Sequence, residues 1–323
     1  MQATKSTESP ATLGKERSPM EYVGLVLRGM AMGAADVVPG VSGGTMAFIL
    51  GIYEELLGSI RMVGQPDFWK TVLALRIKDA IQMMNLNFLI AVFVGIVLAV
   101  LSLAQGLEWM LHNEPVLLWS FFFGLVLASV VVVSKSVSKW NFSLVLAMLI
   151  AAVDAFVLVG LVPLETPNSA WFLFLCGAIA ICAMILPGIS GSFILLLLGK
   201  YQYIHGAVND RDIVTIGIVG AGAILGLVTF AQLLSWLFKR YHDLTVALLT
   251  GLMLGSLRKI WPWKEVLEFI ERKGEKIPTV EINILPPAYD GEFAFAMLLA
   301  VIGFAFVFIL DRVGRGTDYQ PGT

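Results

Sequence analysis

Long apolar stretches separated by short polar ones set the pattern of this chain between residues 20 and 310. Largely apolar runs fall at about 20–36, 37–58, 87–107, 115–134, 141–163, 170–199, 213–238, 244–260 and 293–310. Most approach the ~20 residues a helix needs to cross a hydrocarbon core of ~30 Å. Thr166 to Gly199 is a single 34-residue stretch without a charge. As one straight helix it would reach ~51 Å at ~1.5 Å per residue, too long for one crossing. Pro187-Gly188 lies inside it and offers a break. Proline removes a helical hydrogen bond, and glycine accepts a sharp change of direction. A re-entrant helical hairpin is expected there, and Pro39-Gly40 inside 20–58 predicts another.

The two breaks are versions of one another. Residues 39–53 and 187–201, 148 positions apart, share seven of fifteen identities, among them Pro, Gly, Ser and Gly at the break. A second pair, Gly124–Ser129 and Gly251–Ser256, shares four of six. Each break is followed by three runs, so an odd number of crossings inverts the second half relative to the first. The expectation is an all-α polytopic membrane protein built as an inverted repeat. Each half is one re-entrant hairpin plus three transmembrane helices, about 20–163 and about 170–310. Paired broken segments of this kind point to a substrate site near the bilayer midplane.

Loop charges orient the spans. Segments 1–28, 61–86, 135–140, 239–243 and 311–323 hold 14 of the 22 Lys and Arg, while 108–114 and 164–169 hold none. That is the positive-inside pattern and puts both termini in the cytoplasm. The polar residues 1–19 lack the apolar core of a signal peptide and read as a disordered cytoplasmic tail, with a second short tail at 313–323. Composition agrees with a membrane protein: 58% hydrophobic and 14% charged residues, against ~25% charged in soluble domains. A net charge of −2 argues against a nucleic-acid binder. Cys176, Cys182 and three scattered histidines show no metal-ligand spacing, so neither metal nor cofactor is expected.

Candidate chemistry gathers at the breaks. In each, proline sits where a new helix starts, followed by Ser42, Gly43, Gly44 and Thr45 in one copy and Ser190, Gly191 and Ser192 in the other. Free backbone N–H groups, close-approaching glycines and hydroxyls together make a cradle suited to phosphate. Arg28 and Asp36, eight residues apart in the first arm, can share a broad helix face. Arg28 is a candidate phosphate partner that Asp36 orients. Asp36, Glu54 and Asp154 are candidates for carrying a proton or for gating, because intramembrane acids are costly. Lys200 and Arg211 are either outer attractors for a phosphate or solvated loop charges.

Gly33-Ala-Ala-Asp36-Val-Val-Pro-Gly-Val-Ser-Gly-Gly-Thr45, Gly51-Ile-Tyr-Glu-Glu55 and Leu186-Pro-Gly-Ile-Ser-Gly191 closely resemble the bacterial polyprenyl-phosphate transporter family, formerly a domain of unknown function. The resemblance spans about residues 20–312. It implies a plasma-membrane translocase that returns undecaprenyl phosphate, the carrier lipid of cell-wall and surface-glycan synthesis, to the cytoplasmic leaflet. By motif it carries over Asp36, Ser42, Gly43, Gly44, Thr45, Ser190 and Gly191. Two rivals stay open: a membrane polyprenyl-pyrophosphate phosphatase and a transporter of a small soluble anion. The phosphatases follow their Pro-Gly-x-Ser with Arg-Ser, whereas here Gly43-Gly44 and Gly191-Ser192 follow, leaving no adjacent arginine for a phosphoryl transition state.

Overall fold

The structure, a computed structural model, describes residues 17–38, 41–161, 166–272 and 275–318. Pro39 and Gly40, the tail before Arg17 and the last five residues lie outside the described residues. Helix α1 (Pro19–Val37) starts at a reciprocal cap. Glu21 N–H donates to Ser18 Oγ (3.4 Å), Ser18 N–H donates to Glu21 Oε2 (2.6 Å), and Pro19 fills the first helical position. After the break, α2 (Gly43–Ile49) packs back on α1, and α3 (Tyr53–Met62) follows. Two short connectors, α4 (Pro66–Leu73) and α5 (Ile77–Met83), lead to α6 (Leu86–Asn113), α7 (Pro115–Ser134) and α8 (Phe142–Leu158). The second series runs α9 (Ala170–Ile185), α10 (Gly191–Leu197), α11 (Tyr201–Asn209), α12 (Ile213–Arg240) and α13 (His242–Ser256). The strands β1 (Lys264–Arg272) and β2 (Glu275–Asn283) precede α14 (Gly291–Asp318).

Among the described residues, α6, α7, α12 and the 291–312 part of α14 are long and apolar enough to cross a membrane, and α8 and α9 are shorter apolar helices. The all-α expectation needs one correction. The segment read as a long loop holds an antiparallel two-stranded hairpin, with Lys264 opposite Asn283 and Arg272 opposite Glu275. Val266, Phe269 and Ile270 on β1 and Ile277, Val280 and Ile282 on β2 favour a pleated strand; interleaved charges hid that pattern. The helix α14 also continues through 313–318, where a tail was expected.

Both short helices end alike. Ile52 N–H donates to Ala47 O (3.0 Å) around Gly51 at φ +71°, and Lys200 N–H donates to Leu195 O (2.8 Å) around Gly199 at φ +64°. A left-handed residue must sit there, and glycine takes that conformation without steric cost.

Helix pairing follows the same duplication. α1 lies along α6 as α9 lies along α12, while α7 lies along α14 and α8 along α13. Glycines seat these pairs. Gly29 is pressed on the Val92 backbone and Gly95 on Val26, and Gly177 is pressed on Val219 and Gly222 on Phe174. Gly124 faces Ala300 and Gly251 faces Met148 in the other two pairs. None has room for a Cβ, so backbones approach closely, which is how helices associate where lipid removes the hydrophobic drive. One packing lacks a counterpart. α3 packs on α12, sealed by Phe48, Tyr53 and Phe238 with ring centroids 5.2–6.3 Å apart. Among the described residues α11 makes no comparable packing on α6.

Candidate functional site: the meeting of two broken helices

The two breaks, far apart in sequence, touch. Ser42 Oγ caps α2 by accepting from Gly44 N–H (3.2 Å), and its hydroxyl faces the carbonyl oxygens of Leu186 (3.2 Å) and Met184 (3.4 Å). Gly188 N–H donates to Thr45 Oγ1 (3.0 Å), and the Tyr53 hydroxyl donates to Ile185 O (3.1 Å). A broken helix leaves carbonyls and N–H groups without intrahelical partners, and here each break supplies partners for the other. Packing is close as well. A Cβ on Gly44 would lie 2.5 Å from Ile185 O, and one on Gly188 would lie 2.9 Å from Met253 Cα and Ser256 Oγ.

The two copies are not equally occupied. At α2, Asp36 Oδ1 accepts from Gly43 N–H (2.7 Å), Ser42 Oγ takes Gly44 N–H, and Ser42 O takes Thr45 N–H (3.0 Å). The expectation of free N–H groups is corrected for this copy: a carboxylate of the chain itself stands where an anion was expected. At α10 the Ser190 and Ser192 hydroxyls bond each other (2.7 Å), and no side chain caps the helix. Ser190 and Gly191 are buried while Ser192 is exposed.

The remaining sequence candidates are dispersed. Asp36 is bonded to Gly43, not to Arg28, which is half-buried about 12 Å back along α1 at ~1.5 Å per residue. Glu54 is exposed, 4.0 Å from His242 Nε2. Its neighbour Glu55 is the one held, by both oxygens to Arg17 Nη2 (2.7 and 2.8 Å) and by Asn85 Nδ2 (2.6 Å). Asp154 lies on the exposed face of α8. Lys200 is buried and donates to Thr166 O (2.5 Å) and Asn168 Oδ1 (2.7 Å), pinning the start of the second broken segment. Among the described residues no three His, Cys, Asp or Glu side chains gather as metal ligands would.

Residues 32–277 match the family described as VCA0040-like, undecaprenyl phosphate translocase-like. The chain belongs to this family. It is 42% identical over 300 residues to a polyprenyl-phosphate transporter of Vibrio cholerae serotype O1, covering 91% of this chain and 97% of the relative. A polyprenyl-phosphate transporter of Staphylococcus aureus is 30% identical over 258 residues, 73% of this chain and 85% of the relative. No solved structure matches the chain. Within the translocase-like region lie Asp36, both touching tips and Tyr53, whereas Arg28 precedes it. Tyr53 was not singled out from sequence, although its identity with Tyr201 in the duplicated stretch was the available signal.

Proposed function

We propose that this membrane protein carries undecaprenyl phosphate from the outer to the cytoplasmic leaflet of the bacterial plasma membrane. It works by alternating access within an inverted repeat, each half one re-entrant hairpin and three transmembrane helices, with both termini cytoplasmic. The observation that carries the reading is the direct bonding of one broken helix to the other through Ser42, Thr45 and Tyr53. A lipid monophosphate needs polar donors at membrane depth and a route along which its tail stays in lipid, since an anion cannot cross hydrocarbon unpaired. Ser190, Gly191 and Ser192 are the phosphate contacts on the open copy. Ser42, Gly43, Gly44 and Thr45 take over once Asp36 is displaced from Gly43, and Arg28 meets the phosphate on the cytoplasmic side. Of the acids proposed for proton movement or gating, Asp36 is bonded at the tips, whereas Glu54 and Asp154 are exposed away from them.

The unmatched packing of α3 on α12 fits a state closed toward the cytoplasm and open toward the outside. Hydrolysis is the weaker reading. The Ser42 hydroxyl is engaged with carbonyls and the Ser190 hydroxyl with Ser192, and no arginine or histidine bonds either among the described residues. The test is undecaprenyl-phosphate flipping in proteoliposomes by the wild type and by Ser190→Ala/Ser192→Ala, Ser42→Ala and Arg28→Ala variants. Flipping intact in all of them removes this site. Phosphate release from a lipid pyrophosphate establishes the enzyme, and inorganic phosphate uptake indifferent to the lipid establishes the small-anion transporter.

A further inference from the structure

Past the end of α13 the chain gathers a second polar cluster that neither the tips nor the duplication explains. Lys259 Nζ lies 3.4 Å and Lys264 Nζ 3.7 Å from the same atom, Oε2 of Glu281. Lys259 stands 5.2 Å from the ring centroid of Phe193, in the first turn of α10 and directly after Ser192. Lys264 stands 4.2 Å over the ring of Trp119. The cluster is half dry, with 24%, 10% and 26% of the Lys259, Lys264 and Glu281 side chains exposed. Its geometry is fixed from below. Asn283 Nδ2 donates to Arg258 O (2.8 Å), Trp261 Nε1 to Ile284 O (2.8 Å) and Ile284 N–H to Trp263 O (3.0 Å). The last turn of α13, at Ser256, lies against Gly188 of the second tip, so Lys259 follows the tip contact by three residues.

Two features set the lysines apart from hairpin scaffolding. The spacing that relates Gly124 to Gly251 places Val132 and Val137 at the positions of Lys259 and Lys264 in the other half, and both valines are buried. α7 runs on to Ser134 while α13 ends at Ser256, so the repeat stops short of the two lysines, and two cations stand where the other half has apolar residues. Charge balance is the other feature: among the described residues two ammonium groups share one carboxylate oxygen, leaving one positive charge uncompensated in a poorly solvated place. A phosphomonoester with its ~−2 charge and three acceptor oxygens balances both.

We propose that Lys259 and Lys264 form a capture site for the phosphomonoester headgroup of a lipid, held by Glu281 as an internal stand-in until the headgroup displaces it. The inference rests on the transport reading above and deepens it, placing capture on the face where β1–β2 sits. From there Phe193 and Ser192 lead to the α10 end. The aromatic rings under both ammonium groups give a cation–π floor that keeps the cations in place after Glu281 leaves.

The test is binding of undecaprenyl phosphate to the full chain in nanodiscs, with undecaprenol and inorganic phosphate as separate arms. Lys259→Gln and Lys264→Gln are each expected to weaken lipid binding about tenfold, the loss of one charge-assisted contact. Glu281→Gln, which removes the rival anion and keeps the shape, is expected to tighten binding severalfold, and it answers the question should a lysine variant fail to fold. Unchanged binding in all three overturns the capture site while wild-type binding keeps the transport reading. A wild type that binds undecaprenyl phosphate no better than undecaprenol overturns the transport reading itself. Lysine-dependent binding of inorganic phosphate at equal affinity overturns the lipid as the source of the headgroup.

Discussion

Removing the Asp36 carboxylate tests whether α2 is held by an anion of its own chain. Asp36 Oδ1 accepts from Gly43 N–H at 2.7 Å, the short distance of a charge-assisted bond. A hydrogen bond to a charged group contributes about 1.5–3 kcal/mol, and an acid at a helix N-terminus adds about 0.3–1 kcal/mol, less in so short a helix. Asp36→Ala is therefore expected to destabilise the start of α2 by about 2–3 kcal/mol. At ~1.4 kcal/mol per tenfold, backbone amides of Gly43–Met46 exchange roughly 30- to 100-fold faster. Asp36→Asn keeps an acceptor oxygen and loses the charge, so roughly half of that loss is expected. Hydrogen exchange read by mass spectrometry on peptides over α2, with α10 as the internal control, measures both. Protection of α2 within twofold of wild type in Asp36→Ala refutes the capping argument. A proton-carrying Asp36 gives a different pattern: Asp36→Asn then abolishes the pH dependence of transport while α2 keeps its protection.

Gly29→Ala drives a Cβ into the Val92 backbone and is expected to cost about 1–3 kcal/mol, while Gly24→Ala, with open space around it inside α1, is expected to stabilise by about 0.5–1 kcal/mol; thermal melting in detergent separates the two. Lipid binding at the Lys259–Lys264 pair should fall about tenfold between pH 7 and pH 9. Burial pushes the Lys264 ammonium down to about 8; Glu281 raises it and Lys259 lowers it further. The charged form binds the anion, so binding is full below that value and is lost as pH rises through it. The lipid phosphate, with a second pKa of ~6, does not titrate in that window. Lys264→Arg stays charged and should flatten the profile, so a wild-type curve flat from pH 7 to pH 9 counts against the site. In the opposite transport state Tyr201 should pack on α6 as Tyr53 packs on Phe238 of α12, at Leu111, the counterpart of Phe238. A Tyr201→Cys/Leu111→Cys pair, in a chain with Cys176 and Cys182 replaced, is expected to cross-link during turnover and block transport until reduced. Absence of the cross-link under turnover refutes the symmetric gate.

The interruptions between Val37 and Gly43 and between Ile185 and Gly191 and the order of the helices were legible because each follows from a local rule, a proline in apolar sequence or a length limit, whereas the glycine pairs were not read from the sequence. Seven shared residues in fifteen also signalled that the two tips are equivalent. What they contact was not legible. The Gly188 N–H reaching Thr45, or the Tyr53 hydroxyl reaching Ile185 O, depends on tertiary approach between segments more than 130 residues apart. Asp36 illustrates a different limit. Its place three residues before Pro39 suggested a partner for Arg28 on the same helix. Instead α2 packs on α1 and brings Gly43 N–H within reach first. Lys259 and Lys264 were hidden by their setting in a segment dense in both charges, where loop counting gives little information.

On the proposed transport reading, the unequal tips bear on how a duplicated fold would move an anion one way. A perfectly symmetric pair of cradles would hold a phosphate equally well at both ends, and tight holding at both slows release. In this chain the α2 cradle already contains Asp36, so a phosphate arriving there competes with a carboxylate covalently tethered seven residues away. That tether gives the carboxylate a high effective concentration, which lowers the residence of the lipid at α2 without weakening the α10 contacts. The Lys259–Lys264–Glu281 cluster repeats the device with opposite emphasis, two cations sharing one acid, so that capture there is favoured. The capture proposed beside α10 and the self-displacement proposed at α2 both use residues the repeat does not duplicate, since Lys259, Lys264 and Asp36 have Val132, Val137 and Met184 at the corresponding spacings. On the proposed transport reading the duplication supplies the two breaks, and the charges that depart from it are what would bias the passage of a phosphate from one to the other.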